Sequence, residues 1–384
     1  MKIVCASSVL NGYETFRELG ETVLLREEEI TADDLRDADA LITRSKARIN
    51  RKLLDGTAVR FVGCAVAGTD HIDPAYLEEA GIAWCHAPGC NANSVAEYIV
   101  TALLIEAERH GLELDRLTLG IVGVGHIGTR VAKKAMDLGL TTLLNDPPRA
   151  AAEGRQAGPF VDLEDLLPAV DILTFHVPYT RSGPYATEHL INHRLLAELN
   201  PGSLLINAAR GEIMDSNAVA MALDRGTLRQ AVLDVWEHEP TIRKDMLDRV
   251  DIATPHIAGY SLEGRLNGTR MVYEELRRFL ELETRATNGE DDDGDVPERA
   301  IDAAGLSDQE VLARITQTAY PLLEDDRRFR AGASEDRTAM GRHFVECRRN
   351  YPERREFAAT RFLLRHASER AYNAAWQLGF QLSD

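Results

Sequence analysis

The chain has 384 residues, 44% of them hydrophobic, and a formal net charge of −18. This length predicts two or three domains with sizeable cores. The acidic balance argues against nucleic acid as the main partner, because phosphate contacts need a basic surface. The sequence has no apolar run of the roughly 18 residues that a membrane span needs, so no membrane partner is expected. Five scattered cysteines indicate reduced thiols in the cytoplasm, and no metal site is predicted.

Residues 1–97 alternate apolar strands with helical patterns, as α/β domains do. Three strands are expected, at Lys2–Cys5, Ala40–Thr43 and Phe61–Cys64. A long helix follows, with Asn93 or Ser94 as its N-cap.

A glycine motif comes next, in the sequence LTLGIVGVGHIG at residues 117–128. Gly123 permits a tight turn, Gly125 lets the backbone approach a pyrophosphate, and Gly128 lets a helix pack closely on the strand. The motif is followed by a helix and a second strand, expected at Thr129–Leu138 and Thr141–Leu144. Asp146 then follows, where it would accept hydrogen bonds from ribose hydroxyls and repel a 2′-phosphate. The motif therefore predicts NAD as the cofactor, rather than NADP.

Four further apolar runs continue the series expected of a parallel sheet. They lie at Ile172–Phe175, Ser203–Asn207, Ala231–Asp234 and Ile252–Thr254, and a helix is expected at Leu262–Leu282. Residues 286–298 are acidic and lack apolar periodicity, which is typical of a linker. Residues 299–384 then predict a small α+β domain, in which Ser307 and Glu310 have the spacing of a capping box.

Three charged side chains follow predicted strands, where open parallel sheets bind ligands. They are Arg210, Glu239 and His256. Histidine titrates near neutral pH and suits proton transfer at a hydroxyl. Arginine holds a carboxylate with two parallel hydrogen bonds, and a carboxylate beside the imidazole would stabilise its protonated form and fix its orientation. This set predicts a dehydrogenase for 2-hydroxy acids.

Three stretches, NAARGxxxD, DVWExEP and TPHIAG, resemble the signatures of the D-2-hydroxyacid dehydrogenase superfamily. VAGTDHID at 66–73 and APGCNANSVAEY at 87–98 resemble its N-terminal signatures. More narrowly, NDPPRA, GPYATEHL, TPHIAGYSLEG and the C-terminal RRNYPERREF resemble the erythronate-4-phosphate dehydrogenase family of vitamin B6 biosynthesis. This narrower resemblance extends over nearly the whole chain.

The resemblance implies two doubly wound parallel-sheet domains and a small α+β C-terminal domain. A Rossmann-type NAD domain at 98–257 would be inserted in a flavodoxin-like substrate domain at 1–97 and 258–285. Residues 299–384 would form the dimerisation domain of a homodimer. The implied reaction is the oxidation of 4-phospho-D-erythronate, a small phosphorylated 2-hydroxy acid, to its 2-oxo acid.

The resemblance also implies the roles of individual residues. Arg210, Glu239 and His256 would be catalytic, with His256 as the proton donor or acceptor. The NAD positions would be Gly123, Gly125, His126, Ile127, Gly128, Asp146, Val177, Ala208, Ala209, Arg210, Asp234 and Gly259. The substrate positions would be Ser45, Val66, Gly68 and Tyr260. Val66 and Val177 stand where the family has threonine. Because Val66 lacks the hydroxyl, we expect the backbone N–H groups of Val66–Gly68 to donate to the substrate carboxylate instead.

The phosphate site and the substrate are less well determined. Arg44 and Lys46 beside Ser45 offer cations that could bind a phosphate. A second cluster could do so across a dimer interface: Arg348, Arg349, Arg354 and Arg355. For either cluster, a solvated charged face is an equally good interpretation. A dehydrogenase for 3-phosphoglycerate or glycerate would share the whole catalytic set. An NAD-sensing binding protein is the alternative from another class, but it needs an apolar groove that the sequence does not show.

Overall fold

The computed structural model describes residues 1–154, 158–283, 296 and 298–383. Its strands are β1 (Lys2–Ala6), β2 (Glu21–Leu25), β3 (Ala40–Thr43), β4 (Phe61–Cys64), β5 (Ala83–His86), β6 (Thr118–Val122), β7 (Thr141–Asn145), β8 (Ile172–Phe175), β9 (Ser203–Asn207), β10 (Leu228–Leu233), β11 (Ile252–Ala253), β12 (Glu298–Asp302), β13 (Arg361–Arg365) and β14 (Gln381–Ser383). Its helices are α1 (Gly12–Phe16), α2 (Arg51–Leu54), α3 (Pro74–Glu79), α4 (Ala92–His110), α5 (His126–Asp137), α6 (Pro147–Glu153), α7 (Leu163–Leu166), α8 (His193–Ala197), α9 (Ser216–Asp224), α10 (Lys244–Arg249), α11 (Leu262–Phe279), α12 (Asp308–Ala319), α13 (Leu322–Ala331), α14 (Arg337–Arg349) and α15 (Glu369–Leu378).

The chain divides into two compact units. The first unit contains residues 1–92 and the chain from Tyr260 to the undescribed stretch, and the second contains residues 93–259 and the described residues from 296 onward. The strands form three sheets, and every neighbouring pair of strands in them is parallel.

The first unit is built on a sheet with the strand order β2-β1-β3-β4-β5. This is the order of flavodoxin-like doubly wound sheets. Strands β3 and β4 are buried along their whole length, which is why they are short, continuous apolar runs. Helix α11, which follows the second unit's sheet in the sequence, packs on the first unit's sheet. It places Val272, Tyr273 and Leu276 in the same core. A side chain at Gly63 of β4 would collide with Val272.

The second unit contains a sheet with the order β11-β10-β9-β8-β6-β7. Beyond the edge strand β7, a single parallel bridge joins Leu144 to Phe160. Because all six strands are parallel, their carboxyl ends meet at one edge of the sheet, and the loops that follow them lie side by side.

The C-terminal residues of the second unit form the three-stranded sheet β12-β13-β14 and helices α12–α15. Ser307 and Glu310 make the predicted capping box at the start of α12. Phe329, Met340 and Phe344, from α13 and α14, are buried in the same apolar cluster as Trp236 and Ala253. The C-terminal residues therefore complete the core on one side of the six-stranded sheet.

The expected strands are present, with small differences at their ends, and helix α11 begins at Leu262 as expected. Helix α4 begins at Ala92, so Asn93 and Ser94 lie in its first turn and the predicted N-cap is wrong. Helix α5 begins at His126, three residues before the expected start. Strands β2 and β5 were not anticipated, because they are only half-buried and lack a continuous apolar run.

The predicted linker lies almost wholly outside the described residues, although its last residue, Glu298, already belongs to β12. All five cysteines are free thiols. No helix in the described part of the chain is long and apolar enough to span a membrane.

Candidate active site

The glycine turn between β6 and α5 has the geometry that each glycine was expected to provide. Gly123 has a φ of 89°, and a Cβ there would lie 2.7 Å from the carbonyl oxygen of His176. A Cβ on Gly128 would clash with the carbonyl oxygen of Gly123, so the helix packs against the turn. Gly125 is exposed, and apart from its two chain neighbours nothing lies within 4 Å of where its Cβ would be. The turn thus leaves open the space at the start of α5 that a pyrophosphate needs.

Asp146 lies at the end of β7, next to this turn. One carboxylate oxygen accepts a hydrogen bond from the backbone N–H of Val124 at 2.8 Å, and the other caps α6 through the N–H of Arg149 at 3.1 Å. The Arg149 guanidinium donates to the carbonyl oxygen of Val124 and to Glu153. The acid is therefore held beside the glycine turn, where a dinucleotide ribose lies in this type of fold, and the turn and the acid together fit NAD.

The other predicted NAD positions follow the ends of the neighbouring strands. Val177 comes after β8, and its side chain packs against Gly123. The stretch 208–210 comes after β9, where Asn207 shapes the loop by accepting from the N–H of Ala209 and donating to the carbonyl oxygen of Arg210. Asp234 and Gly259 come after β10 and β11. The twelve positions thus lie in these loops or in the first turn of α5, at one edge of the sheet.

The Asp234 carboxylate organises the loop that carries His256. It is 1% exposed, and it accepts hydrogen bonds from the Thr254 hydroxyl at 2.6 Å and from the N–H groups of Ile257 and Ala258 at 2.8 and 2.9 Å. The His256 N–H donates to the Asp234 carbonyl oxygen at 2.6 Å. His256 itself has a φ of 58°, an unfavourable conformation for this residue that these bonds maintain. The predicted NAD contact of Asp234 stays a prediction; its positioning of this loop is what the structure adds.

The Glu239 carboxylate and the His256 ring form a hydrogen-bonded pair, with 2.8 Å between Oε2 and Nδ1. The other oxygen of Glu239 accepts from the N–H of Trp236 at 2.9 Å, so the carboxylate is fixed at both ends. His256 is about one-third exposed, which leaves Nε2 as the ring nitrogen that can meet a substrate. The pair has the geometry of an acid–base group with a carboxylate that orients it.

Arg210 lies on the loop beside this pair. A side chain at the next residue, Gly211, would clash with the carbonyl oxygen of Trp236, so the Arg210 loop lies directly against the Glu239 loop. The Arg210 guanidinium donates to the carbonyl oxygen of Ala209 at 2.8 Å. The structure thus brings together the loops of the three residues that the sequence singled out.

Electrostatics set the charge states around the pair. Burial by itself raises the pKa of Glu239, but the nearby His256 ring, its hydrogen bond and the charge of Arg348 together lower that pKa below its usual value. Glu239 therefore stays ionised and available to stabilise an imidazolium. His176, behind the glycine turn, is buried so deeply that its pKa falls to about 3, so its ring is neutral at physiological pH.

In the first unit, the loop that carries Ser45 is organised by Glu27, a residue that the sequence did not single out. The Glu27 side chain is 2% exposed. One oxygen accepts from the N–H groups of Arg44, Lys46 and Ala47 at 3.1, 2.7 and 3.2 Å, and the other accepts from the Ser8 hydroxyl at 2.5 Å. Ser45 itself is exposed at the tip of the loop.

The remaining predicted substrate residues also lie in the first unit. The Arg44 guanidinium is 5.6 Å from the ring centre of Tyr260, which brings the Ser45 loop close to Tyr260. Lys46 pairs with Glu28 in an exposed ion pair. The N–H of Val66 donates to the carbonyl oxygen of Cys64 at 2.8 Å, so it is not one of the expected backbone donors, and Gly68 lies just beyond it.

A shared charged face would require all four C-terminal arginines to be exposed to solvent, and they are not. Arg354 is 5% exposed, and its guanidinium donates to the carbonyl oxygens of Ser94 and Ala258 at 2.8 and 2.9 Å. The expectation that Arg354 reaches a phosphate is therefore wrong, because its donors are enclosed within its own chain. Arg348 is near enough to Glu239 to lower the pKa of that carboxyl, whereas Arg349 and Arg355 are exposed.

One group outside these loops brings together ligand types that metals use. Atoms of Glu106, His110 and Asp251 lie within 4.8 Å of one another. Arg109 also donates to Glu106 at 3.2 Å and neutralises it in part. Burial raises the pKa of Glu106 to about 7. The cluster lies by the start of β11, at the opposite end of that strand from His256, and has no part in the site described above.

Two family models match the chain. Residues 96–258 match the model described as "D-isomer specific 2-hydroxyacid dehydrogenase, NAD binding domain". Residues 296–379 match one described as "Domain of unknown function (DUF3410)".

The chain is also similar to individual proteins. It is 42% identical over 372 residues to a protein of Marinobacter nauticus named erythronate-4-phosphate dehydrogenase, with 96% of each chain covered. Among solved structures, it resembles an NAD-dependent formate dehydrogenase of Staphylococcus aureus in complex with NAD, at 27% identity and a TM-score of 0.60, covering 73% of this chain and 96% of the other. A D-lactate dehydrogenase of Aquifex aeolicus with NAD and lactic acid matches at 25% identity and a TM-score of 0.60, covering 73% and 95%.

Proposed function

The chain belongs to the erythronate-4-phosphate dehydrogenases, within the D-isomer specific 2-hydroxyacid dehydrogenases, and we propose that it oxidises 4-phospho-D-erythronate at C2 to the 2-oxo acid. It is an NAD-dependent oxidoreductase. The residue roles proposed below rest on one observation, the hydrogen bond between Glu239 and His256. The pair lies at the same edge of the sheet as the glycine turn.

In the proposed mechanism His256 takes the proton of the C2 hydroxyl on Nε2, since Nδ1 is engaged with Glu239. Glu239 stabilises the positive charge that develops on the ring. Arg210 holds the substrate carboxylate by paired hydrogen bonds. NAD, when bound, supplies the acceptor for the hydride that leaves C2. The alcohol thus loses a hydride and a proton and becomes a ketone, with both hydrogens accounted for.

In this proposal the cofactor is held at the glycine turn. The N–H groups at the start of α5 bind the pyrophosphate. Asp146 accepts hydrogen bonds from the ribose hydroxyls and discriminates against a 2′-phosphate. The test is the ratio of turnover with NAD to turnover with NADP in Asp146→Ala, with Asp162→Ala, outside the proposed site, as control. We expect the ratio to fall in Asp146→Ala alone; an unchanged ratio would place the selection elsewhere.

We place the phosphate of the substrate at the Arg44–Lys46 loop of the first unit. Glu27 aligns three N–H groups of this loop, and Ser45 is exposed at its tip with Arg44 and Lys46 on either side. A hydroxyl and two cations are a suitable donor set for a phosphate. Tyr260, next to Arg44, would contact the same substrate.

The experiment that tests this function is a substrate panel with the purified protein. It compares 4-phospho-D-erythronate with D-erythronate, which lacks only the phosphate, and with 3-phosphoglycerate and glycerate. Each acid is measured with and without an added 2-oxo acid, so that NADH that stays bound can be reoxidised and turnover continues. We expect 4-phospho-D-erythronate to have the highest kcat/KM. A higher value for 3-phosphoglycerate or glycerate would overturn the substrate and favour the alternative.

We also propose a homodimer in a reducing, cytoplasmic location. Trp376 on α15 is 68% exposed, and Met136 on the adjacent helix α5 is 56% exposed. Apolar side chains of this size gain most from contact with a second copy of the same surface. Five free thiols agree with a reducing compartment. In sedimentation, Trp376→Glu should shift the protein to monomer, whereas Tyr185→Glu, at an exposed site in another part of the second unit, should not.

A further inference from the structure

Two loops of the second unit carry the catalytic pair, and both are in contact with the C-terminal part of the same chain. The first, residues 254–259, carries His256, and the second, residues 235–241, carries Glu239. None of the comparisons above assigns a role to C-terminal residues at the catalytic pair.

Arg354 binds the His256 loop directly. Its guanidinium donates to the carbonyl oxygen of Ala258 at 2.9 Å, two residues beyond His256. The same group donates to the carbonyl and hydroxyl oxygens of Ser94 on α4. Its flat face lies over the Tyr320 ring, with 4.2 Å between the guanidinium carbon and the ring centre. The hydrogen bonds of one terminal nitrogen, Nη2, and the ring contact hold this buried cation against the His256 loop.

Ala258 is therefore held at both its backbone N–H group and its carbonyl group. Its N–H donates to the Asp234 carboxylate, and its carbonyl oxygen accepts from Arg354 and from the Ser94 hydroxyl. A positive and a negative side chain thus bind the two ends of one residue. Because a buried carbonyl without a donor is unfavourable, the position of this residue depends on both partners.

Helix α14 packs against the Glu239 loop. A Cβ on Gly341 would lie 3.1 Å from the Thr241 side chain and 3.6 Å from the carbonyl oxygen of Pro240, so this helix passes close to the residues after Glu239. Phe329 lies 6.1 Å from Trp236 between ring centres, and the N–H of Trp236 donates to Glu239. Arg348, on the same helix, also contributes to the charge around Glu239.

We infer that the C-terminal region positions the catalytic loops of its own chain, with Arg354 as the positioning residue for the His256 loop. This inference rests on the proposed function in so far as His256 is the proton acceptor. It differs from a role in assembly, because the contacts lie within one chain. Small displacements of a catalytic group reduce turnover strongly, so loosening this loop should lower kcat more than it lowers NAD affinity.

The test uses Arg354→Met, which keeps the bulk and removes the donors, and Arg354→Lys, which keeps the charge. Arg327→Met, at an exposed ion pair on α13, is the matched control. Three quantities are measured on full-length protein of wild-type oligomeric state: kcat on the best acid of the panel, the Kd for NAD, and hydrogen exchange of the Ile257 and Ala258 amides.

For Arg354→Met we expect a fall in kcat of about 10–100-fold, a change of less than threefold in the Kd for NAD, and exchange at 257–258 at least tenfold faster. Arg354→Lys should lie between this variant and the wild type, and Arg327→Met should match the wild type. Unchanged kcat and exchange in Arg354→Met would overturn the inference. Parallel losses of NAD binding and kcat in Arg354→Lys would also overturn it, since the residue would then only support the fold.

Ser94→Ala covers the case in which the Arg354 variants do not fold. It removes the second donor to the Ala258 carbonyl oxygen and leaves the buried charge in place. Faster exchange confined to residues 254–259 supports the inference, and exchange like that of the wild type contradicts it. If the wild type oxidises no acid of the panel, the proposed function fails, but the exchange measurements still decide whether Arg354 positions the loop.

Discussion

Two loops in different units of the molecule are each organised by their own buried carboxylate, and the two loops differ in how exposed they are. Glu27 gathers three N–H groups of residues 44–47, while Ser45 stays exposed. Asp234 gathers two N–H groups and a hydroxyl of residues 254–258, in a loop where Ile257 and Ala258 are buried. The same arrangement thus produces an open loop in one unit and an enclosed loop in the other.

The difference matches the tasks that we propose for the two loops. Transfer of a proton requires donor and acceptor to meet at hydrogen-bond distance, so the His256 loop gains from being fixed on every side. Capture of a charged group from solvent needs exposed donors and tolerates small displacements, because charge attraction acts over several ångströms. Removal of each carboxylate should therefore affect different kinetic constants.

The largest effect is expected for Asp234→Asn. The amide has one acceptor oxygen in place of two, and its NH2 group would face a backbone N–H or the Thr254 hydroxyl. We expect kcat to fall at least about 100-fold and the free energy of unfolding to fall by about 2–4 kcal/mol. Steady-state kinetics and urea denaturation measure the two effects. Asp224→Asn, at an exposed ion pair, is the control, and kcat within threefold of the wild type in Asp234→Asn would contradict this role of the carboxylate.

Glu27→Gln should act on substrate binding instead. The loop keeps an acceptor but loses the negative charge that gathers its N–H groups, so we expect KM for the acid to rise about tenfold while kcat changes little. Initial rates over a range of acid concentrations give both constants. Glu28→Gln changes the exposed partner of Lys46 and should leave KM nearly unchanged. A fall in kcat without a change in KM would make the two loops alike and reject the distinction.

The Glu239–His256 pair predicts a shift in the pH profile. Oxidation needs the neutral ring as proton acceptor, so activity rises with pH as the ring loses its proton. Glu239→Gln removes the charge that stabilises the protonated ring, so the rise should move to lower pH. The profile of kcat/KM from pH 5 to 9 measures it. A rise at the wild-type pH would show that the carboxylate does not act on the ring.

The smallest effect on catalysis is expected for Glu97, a third buried carboxylate, which belongs to neither loop. Burial and, after it, the charge of the nearby Glu356 raise its pKa to about 8, whereas an exposed glutamate titrates near 4.5. Between these values the folded protein retains a proton that the unfolded chain has lost, so stability declines as pH rises from about 4.5 to 8. Glu97→Gln should flatten this decline, as Tm measurements at several pH values would show. An equal decline in both proteins would mean that Glu97 is ionised in the folded state.

The parts of the molecule that the sequence predicts well are those determined by neighbouring residues. The glycines of the turn lie within six residues of one another, and the Ser307 capping box closes within one helical turn. The catalytic trio was identified because each member follows an apolar strand. In all these cases each feature is recognised from the few residues next to it in the chain.

The partners that organise the two loops were not predicted, because they are distant in sequence. Glu27 lies 17–20 residues before the N–H groups that it binds, and Arg354 lies 260 residues after Ser94. Nothing local distinguishes either from a solvated charge. The start of α4 was misplaced for a related reason: Ser94, a residue type that favours caps, donates instead to the Ala258 carbonyl oxygen.

The return of α11 to the first sheet has a consequence for synthesis on the ribosome. The core of the first unit lacks Val272, Tyr273 and Leu276 until the whole six-stranded sheet has been translated. At typical rates, the roughly 180 residues between Ala92 and Val272 take about 10–40 s to make. During this time the face of β4 beside Gly63 lacks Val272, which packs there in the folded protein. The unit whose synthesis begins first thus waits for its last core residues until the six-stranded sheet has been made, so its amino-terminal sheet can be bound by a chaperone during this time.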